Sequence, residues 1–273
     1  MLAVDDILVA RDFSSVSDRA LRHGLGLAAR TGATLHVLHA EVLHDAGDQS
    51  APGDGVDPLR DELARAGVAS AEALDAVPVV EATRRDVAPA PAVLRYAGEE
   101  NVDLLALGTH GRRGPSRVLL GSVAEEVVRR AEQPVLTVRG TDENGAPPLA
   151  PDRILVPVDF SDYSREALRV AAEWARLHDA RIDTLHVVEE DLHPAFYVGG
   201  VRSVYDAEPD LDEKVKAKLS DFVSETIGAG DDVETHVRTG SAPSAIAAFV
   251  EANGTGLVTL STHGRAGLER FLL

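Results

Sequence analysis

ILVARDFSSVSDRALRHGLGLAARTGATLHVLHA, residues 7–40, returns at 154–187 as ILVPVDFSDYSREALRVAAEWARLHDARIDTLHV. At an offset of 147 the two stretches align without a gap and agree at 14 of 34 positions. A second pair, LGTHGRRGPSRVLL at 107–120 and LSTHGRAGLERFLL at 260–273, agrees at 9 of 14 at an offset of 153. Both pairs occur in the same order, so the repeated unit is a whole domain and not a short solenoid repeat. The change in offset assigns six extra residues to copy two, in the loop around Leu192–Ala207. The segment from Gly140 to Pro151 is rich in Gly, Pro and acid and lacks periodicity, as exposed linkers do. Domains are therefore expected at 1–140 and 152–273, consistent with a length of 273 residues.

Each copy alternates strand and helix signals. In copy one, Ile7–Val9 is a short apolar run of the kind that is buried on both faces of a sheet. Ser14-Ser15-Val16-Ser17 offers caps for a helix whose Ala20, Leu21, Gly24, Leu25 and Ala28 keep helical spacing, and Gly32 ends it. Further strands are predicted at Leu35–Ala40, Val77–Glu81, Val102–Leu107 and Pro134–Arg139, with helices over Ala90–Glu99 and Glu125–Ala131. Such alternation predicts α/β architecture: two tandem doubly wound parallel sheets with helices on both faces. Ligands of these sheets bind beyond the carboxyl ends of the strands, where strand order reverses.

Composition removes several classes of function. The chain has no cysteine, which excludes disulfides, zinc–thiolate sites, iron–sulfur clusters and cysteine nucleophiles. The longest apolar runs fall far short of the ~20 residues that span a bilayer, and Met1–Asp6 has no basic n-region, so a cytoplasmic protein is expected. The formal net charge of −18 disfavours nucleic acid and anionic membrane surfaces as partners. Of 27 basic residues 24 are arginine; the lysines are Lys214, Lys216 and Lys218. An acidic chain with arginine in place of lysine fits a salt-loving organism or a GC-rich genome. The three lysines fall in a helical stretch without forming one face, which suits a solvated helix better than a nucleic-acid site.

The strongest local signal follows the fourth strand of copy one: Gly108-Thr109-His110-Gly111, nine residues, then Gly121-Ser122. Glycines at a strand end permit a tight turn or the close approach of a ligand. Gly121-Ser122 opens a helix, whose N-terminal N–H groups and dipole suit phosphate, with Ser122 as donor or N-cap. A glycine-rich loop with a serine cap is the structural alternative. No Walker A sequence occurs, and Gly24 and Gly26 lie inside a helical pattern, so no dinucleotide fingerprint exists.

With Asp12 and Asp159 after strand one, Leu38-His39-Ala40 and Leu185-His186-Val187 at strand two, and Gly-x2-Gly-x9-Gly-Ser at Gly108, Gly111, Gly121 and Ser122, the sequence resembles the universal stress protein family in its tandem form. The resemblance covers nearly the whole chain. It implies a five-stranded parallel sheet of order 3-2-1-4-5 in each domain. It also implies an adenine-nucleotide site for ATP, alone or with Mg2+, in a stress-response or regulatory protein that pairs as a homodimer through its last strand. Asp12 would lie near ribose and adenine, with a helix-capping role as the alternative, and Ala10 and Ala40 would pack on the base. Gly108, Thr109, His110, Gly111, Arg112 and Gly114 would wrap the phosphates, Gly121, Ser122 and Val123 would close the site, and Arg117 would add a cation, with a solvated helix arginine as the alternative. In copy two the corresponding residues are Asp159, Val187, Thr262, Gly264 and Gly267. There Ser261 replaces the first motif glycine, and the chain reaches Leu273 where copy one continues into Gly121-Ser122. Copy two is therefore expected to be C-terminally incomplete, lacking its last helix and strand and a full triphosphate site.

The histidines form no metal site by spacing: His36 and His39 are three apart on a strand and face opposite ways. His110 and His263, both in Thr-His-Gly, suit either a phosphate loop or a solvated turn. No Ser/His/Asp triad, general base or paired metal carboxylate is assembled by spacing, so the expectation is a binding protein with no catalytic or metal residues. The competing functions are a nucleotide-hydrolysing or adenylyl-transferring enzyme of related architecture, and a dimerisation scaffold that binds nothing.

Overall fold

The computed structural model describes residues 4–43, 55–109, 120–139, 150–189, 210–228 and 232–261. The chain divides into two compact units that part at Ala150/Pro151.

Domain one runs β1 (Asp6–Ala10), α1 (Ser15–Thr31), β2 (Thr34–Val42), α2 (Asp57–Arg65), α3 (Ala71–Asp75), β3 (Val79–Asp86), α4 (Pro89–Glu99), β4 (Leu104–Gly108), α5 (Ser122–Arg130) and β5 (Val135–Val138). Its sheet is parallel throughout, in the order β3-β2-β1-β4-β5. Strand order reverses between β1 and β4, which pair from Ile7–Leu104 to Ala10–Leu107. The β1 run is apolar because it is central: Ile7, Leu8 and Val9 are fully buried. Leu8 and Leu38 meet Val93, Tyr96, Ala124 and Val127 of α4 and α5 on one face. On the other face α1 turns Ala20, Leu21, Gly24, Leu25 and Ala28 inward. Helix α1 starts at Ser14, whose hydroxyl accepts from Ser17 N, and stops at Gly32 in left-handed backbone (φ 80°).

Three sequence expectations shift. The third strand runs from Val79 to Asp86, not Val77–Glu81, because Leu35–Val42 of β2 supplies eight consecutive partners that extend through the polar Thr83-Arg84-Arg85. The fourth is Leu104–Gly108, not Val102–Leu107: Val102 instead closes α4 by donating to Ala97 O. Helices α2 and α3 add to the elements expected from the sequence. They are held to their surroundings by Arg22–Glu62 across to α1 and by Arg60, which donates to the Leu74 and Val77 carbonyls.

Domain two repeats the plan with β6 (Arg153–Pro157), α6 (Asp162–His178), β7 (Arg181–Val188), α7 (Leu211–Ile227), β8 (Val233–Thr239), α8 (Ala242–Asn253) and β9 (Leu257–Val258). Its parallel sheet has four strands, β8-β7-β6-β9. Helix α6 ends on Asp179 at φ 54°, the position of Gly32 in copy one, since Asp tolerates left-handed backbone better than most residues. Strand β9 keeps only two residues of register with β6, against four between β4 and β1. The loop expected to hold the insertion lies outside the described residues.

Candidate functional site

The carboxyl edge of the domain-one sheet brings the separated motif residues together. Ala10 ends β1, and Asp12 follows within two residues. Gly108 ends β4, and Thr109 N donates to Val138 O of β5. Gly121 N donates to Thr109 O. Gly121-Ser122 therefore stands beside Gly108-Thr109 although thirteen positions separate Gly108 from Gly121. Ala10 and Val123 are half-buried against the α4–α5 core, and Ala40 lies on β2 in register with Arg84. His110, Gly111, Arg112, Gly114 and Arg117 lie outside the described residues, as do Thr262, His263, Gly264 and Gly267 of copy two.

Two of these residues owe their identity to causes the sequence did not reveal. A Cβ on Gly108 would meet Val16 Cγ1 at 2.8 Å, the Val16 carbonyl carbon at 3.0 Å and Ser17 N at 3.2 Å. The first turn of α1 thus presses on the end of β4, and packing alone demands glycine there. Copy two has Ser261 at this place, and its β9 ends after Val258. The N-cap of α5 is Gly121, not Ser122, which is the first helical residue. Gly121 has ordinary extended backbone (φ −61°, ψ 149°), so no left-handed turn requires it. As a cap without a side chain, Gly121 itself offers no acceptor to the first N–H groups of α5.

Asp12 is not the cap of α1, which is Ser14, but is bonded to that cap. Its Oδ1 accepts from Ser14 N at 3.0 Å and Ser14 Oγ at 2.6 Å, so it braces the cap of α1 without being the cap. Asp159 repeats the arrangement with Ser161 N and Oγ in copy two, where Val187 ends the matching stretch of β7. Arg11, next to Asp12, is held by Asp18 at 3.0 Å and lies over the Phe13 ring.

Two polar clusters escaped the sequence because their members come from separate strands and helices. In domain one Tyr96 donates to His36 Nδ1 at 2.9 Å while His36 Nε2–H donates to Asp6 at 3.0 Å, and burial pushes the Tyr96 phenol above its ordinary range. In domain two, Asp183, Glu234 and His236 place donor atoms within 4.8 Å of one another, a set with metal-ligand chemistry. Asp183 is 1% exposed and binds the Arg153 guanidinium at 3.1 Å and His236 Nε2 at 2.9 Å, so arginine already supplies the cation there. His36 and His39 do face opposite ways: one meets Tyr96, the other Phe13. His23, on α1, is pushed down to about 4 by burial and then by Arg19 one turn earlier.

The universal stress protein family model matches residues 4–139 and again 151–273. The chain belongs to the universal stress protein family. Among universal stress proteins it is 36% identical over 135 residues to one from Thermus aquaticus, covering 49% of this chain and 97% of that one. It is 30% identical over 141 residues to one from Methanocaldococcus jannaschii, covering 49% and 81%. A functionally unknown protein from Pseudomonas aeruginosa shares the fold, with a TM-score of 0.66 at 19% identity, covering 99% of this chain and 86% of that one. Among the described residues no helix is long and apolar enough to cross a bilayer.

Proposed function

We propose that this tandem universal stress protein binds an adenine nucleotide in domain one and acts as a nucleotide-dependent regulatory protein in stress response. The Thr109–Gly121 hydrogen bond carries this reading: it sets the start of α5 beside the end of β4, at the point where strand order reverses. Positive partial charge at the start of α5 suits the phosphates, and the Asp12 carboxylate suits sugar hydroxyls as donors. Gly121 adds no side chain to that end of the helix, so the residues present fit a phosphate, with or without Mg2+. The reading is a binder and not a catalyst. In the cytoplasm such a protein would pair with a second copy through the β5 edge of domain one, since among the described residues β5 has a strand neighbour on one side only.

Retention of ATP or AMP by the purified chain, followed by a turnover assay, tests this. Retention without turnover is expected. Turnover would make the protein an enzyme, and no retention would make it a scaffold. Gly121→Val places a branched side chain at the start of α5 and should weaken ATP binding at least tenfold with the fold intact; unchanged affinity by calorimetry would remove the phosphate assignment.

A further inference from the structure

Phe13 (φ 60°) and Phe160 (φ 63°) hold left-handed backbone, which is costly for a bulky side chain and persists only where the surroundings impose it. They occupy the same place in the two copies, between the site aspartate and the helix-capping serine. Each ring lies against the histidine near the end of the second strand: Phe13 on His39 at 4.8 Å, Phe160 on His186 at 4.5 Å. His39 Nδ1 bonds the Arg11 carbonyl at 2.9 Å, and His186 Nδ1 bonds the Val158 carbonyl at 2.7 Å. A carbonyl only accepts, so Nδ1 carries the proton in both. The same two residues donate their own N–H groups to Leu38 O and Leu185 O, each at 2.8 Å. The peptide before each aspartate is thus gripped at both ends by the neighbouring strand.

The outer cover of this arrangement has diverged. Arg11 lies over Phe13, whereas Lys218 of α7 lies over Phe160 at 4.1 Å. The copies differ at 20 of the 34 positions aligned around it, yet the histidine, the left-handed phenylalanine, the aspartate and its serine recur. We infer that His39 and His186 are positioning residues, which lock the Asp-Phe turn and so fix where Asp12 and Asp159 present their carboxylates. For Asp12 this rests on the nucleotide reading above.

The test uses the full chain with His39→Phe, His39→Asn and Asp12→Ala. Phenylalanine keeps ring packing and removes the donor; asparagine restores an N–H near the Nδ1 position. In ligand-free protein, NMR backbone shifts of Asp12, Phe13 and Ser14 report the turn, and calorimetry with ATP reports the site. His39→Phe should move the Phe13 shifts away from the left-handed pattern and weaken ATP about tenfold, and His39→Asn should restore most of both. Phe13 shifts unchanged in His39→Phe would overturn the lock whether or not ATP binds. Wild-type affinity in His39→Phe, with Asp12→Ala impaired, would overturn the positioning role and leave the nucleotide reading standing. No ATP binding by the wild type would overturn the nucleotide reading and with it the ligand role of His39, while the shifts still decide the lock.

Discussion

Asp12→Ala and Asp12→Asn separate the two jobs of one carboxylate. Alanine removes both bonds to Ser14, at 3.0 and 2.6 Å, and so loosens the residue that caps a 17-residue helix. Bonds to a charged acceptor contribute about 1.5–3 kcal/mol where water cannot replace them. Loss of a helix cap costs about 0.5–2 kcal/mol. These overlap, and the site is only half-buried, so a total of about 2 kcal/mol is expected. Asparagine keeps an acceptor for Ser14 and loses the charge near the helix N-terminus, about 0.3–1 kcal/mol. Nucleotide binding should follow a different order: both variants lose the negative acceptor for the sugar hydroxyls, and both should fall at least tenfold, about 1.4 kcal/mol. Stability should be read by far-UV circular dichroism in urea, because the one tryptophan, Trp174, lies in domain two and does not report domain one. Affinity should be read by calorimetry with ATP. Wild-type affinity in Asp12→Asn would refute the use of the charge, and wild-type stability in Asp12→Ala would refute the bracing of Ser14.

Acid should weaken domain one through His23. Its folded-state value of about 4 lies below the ordinary 6.5, so the unfolded chain binds the extra proton first; the stability this provides is complete above pH 6.5 and is lost as pH falls through 4. His23→Leu should reduce the stability drop between pH 7 and 4.5 by on the order of 2 kcal/mol; an unchanged slope in urea melts would refute this. Gly24→Ala sets a helix-propensity gain of about 1 kcal/mol against a Cβ placed 2.5 Å from Val9 Cγ2 and 3.2 Å from Leu35 Cδ1. Val9 is fully buried and β-branched, so overpacking of about 1–3 kcal/mol should win, even though α6 carries Ala171 at the matching place. A raised melting point would show that α1 can stand off from its sheet as it is. Nucleotide-free protein should melt higher in 1 M than in 0.1 M NaCl, because the screening length falls from ~10 to ~3 Å and the chain carries a net charge of −18; a flat or falling midpoint would refute self-repulsion as the dominant surface term.

What the sequence revealed depended on how local the cause was. The β1 run, the Ser14 cap and the Gly32 stop are determined within a few residues, and they appeared where their chemistry placed them. The internal repeat extended the same plan to domain two. The polar half of β3 was hidden because its strand character comes from pairing with β2 and not from alternation. Gly108 suggested a turn or a ligand, but its constraint comes from Val16 and Ser17, about ninety positions away in sequence. The left-handed Phe13 could not be foreseen either, since phenylalanine gives no sign of it; only the second occurrence at Phe160 suggests that it is built in.

Helix α7 carries every lysine of the chain, and α6 carries its only tryptophan. Apart from the terminal α-amine, reagents that acylate amines will therefore mark a single helix of domain two, and indole emission will come from that domain alone. Lys214, Lys216 and Lys218 are all exposed, and the Lys218 ammonium lies 4.1 Å from the Phe160 ring. Domain one has no lysine, and its one tyrosine, Tyr96, is buried in its core. A dye on α7 and the emission of Trp174 therefore follow domain two, with no probe added to domain one.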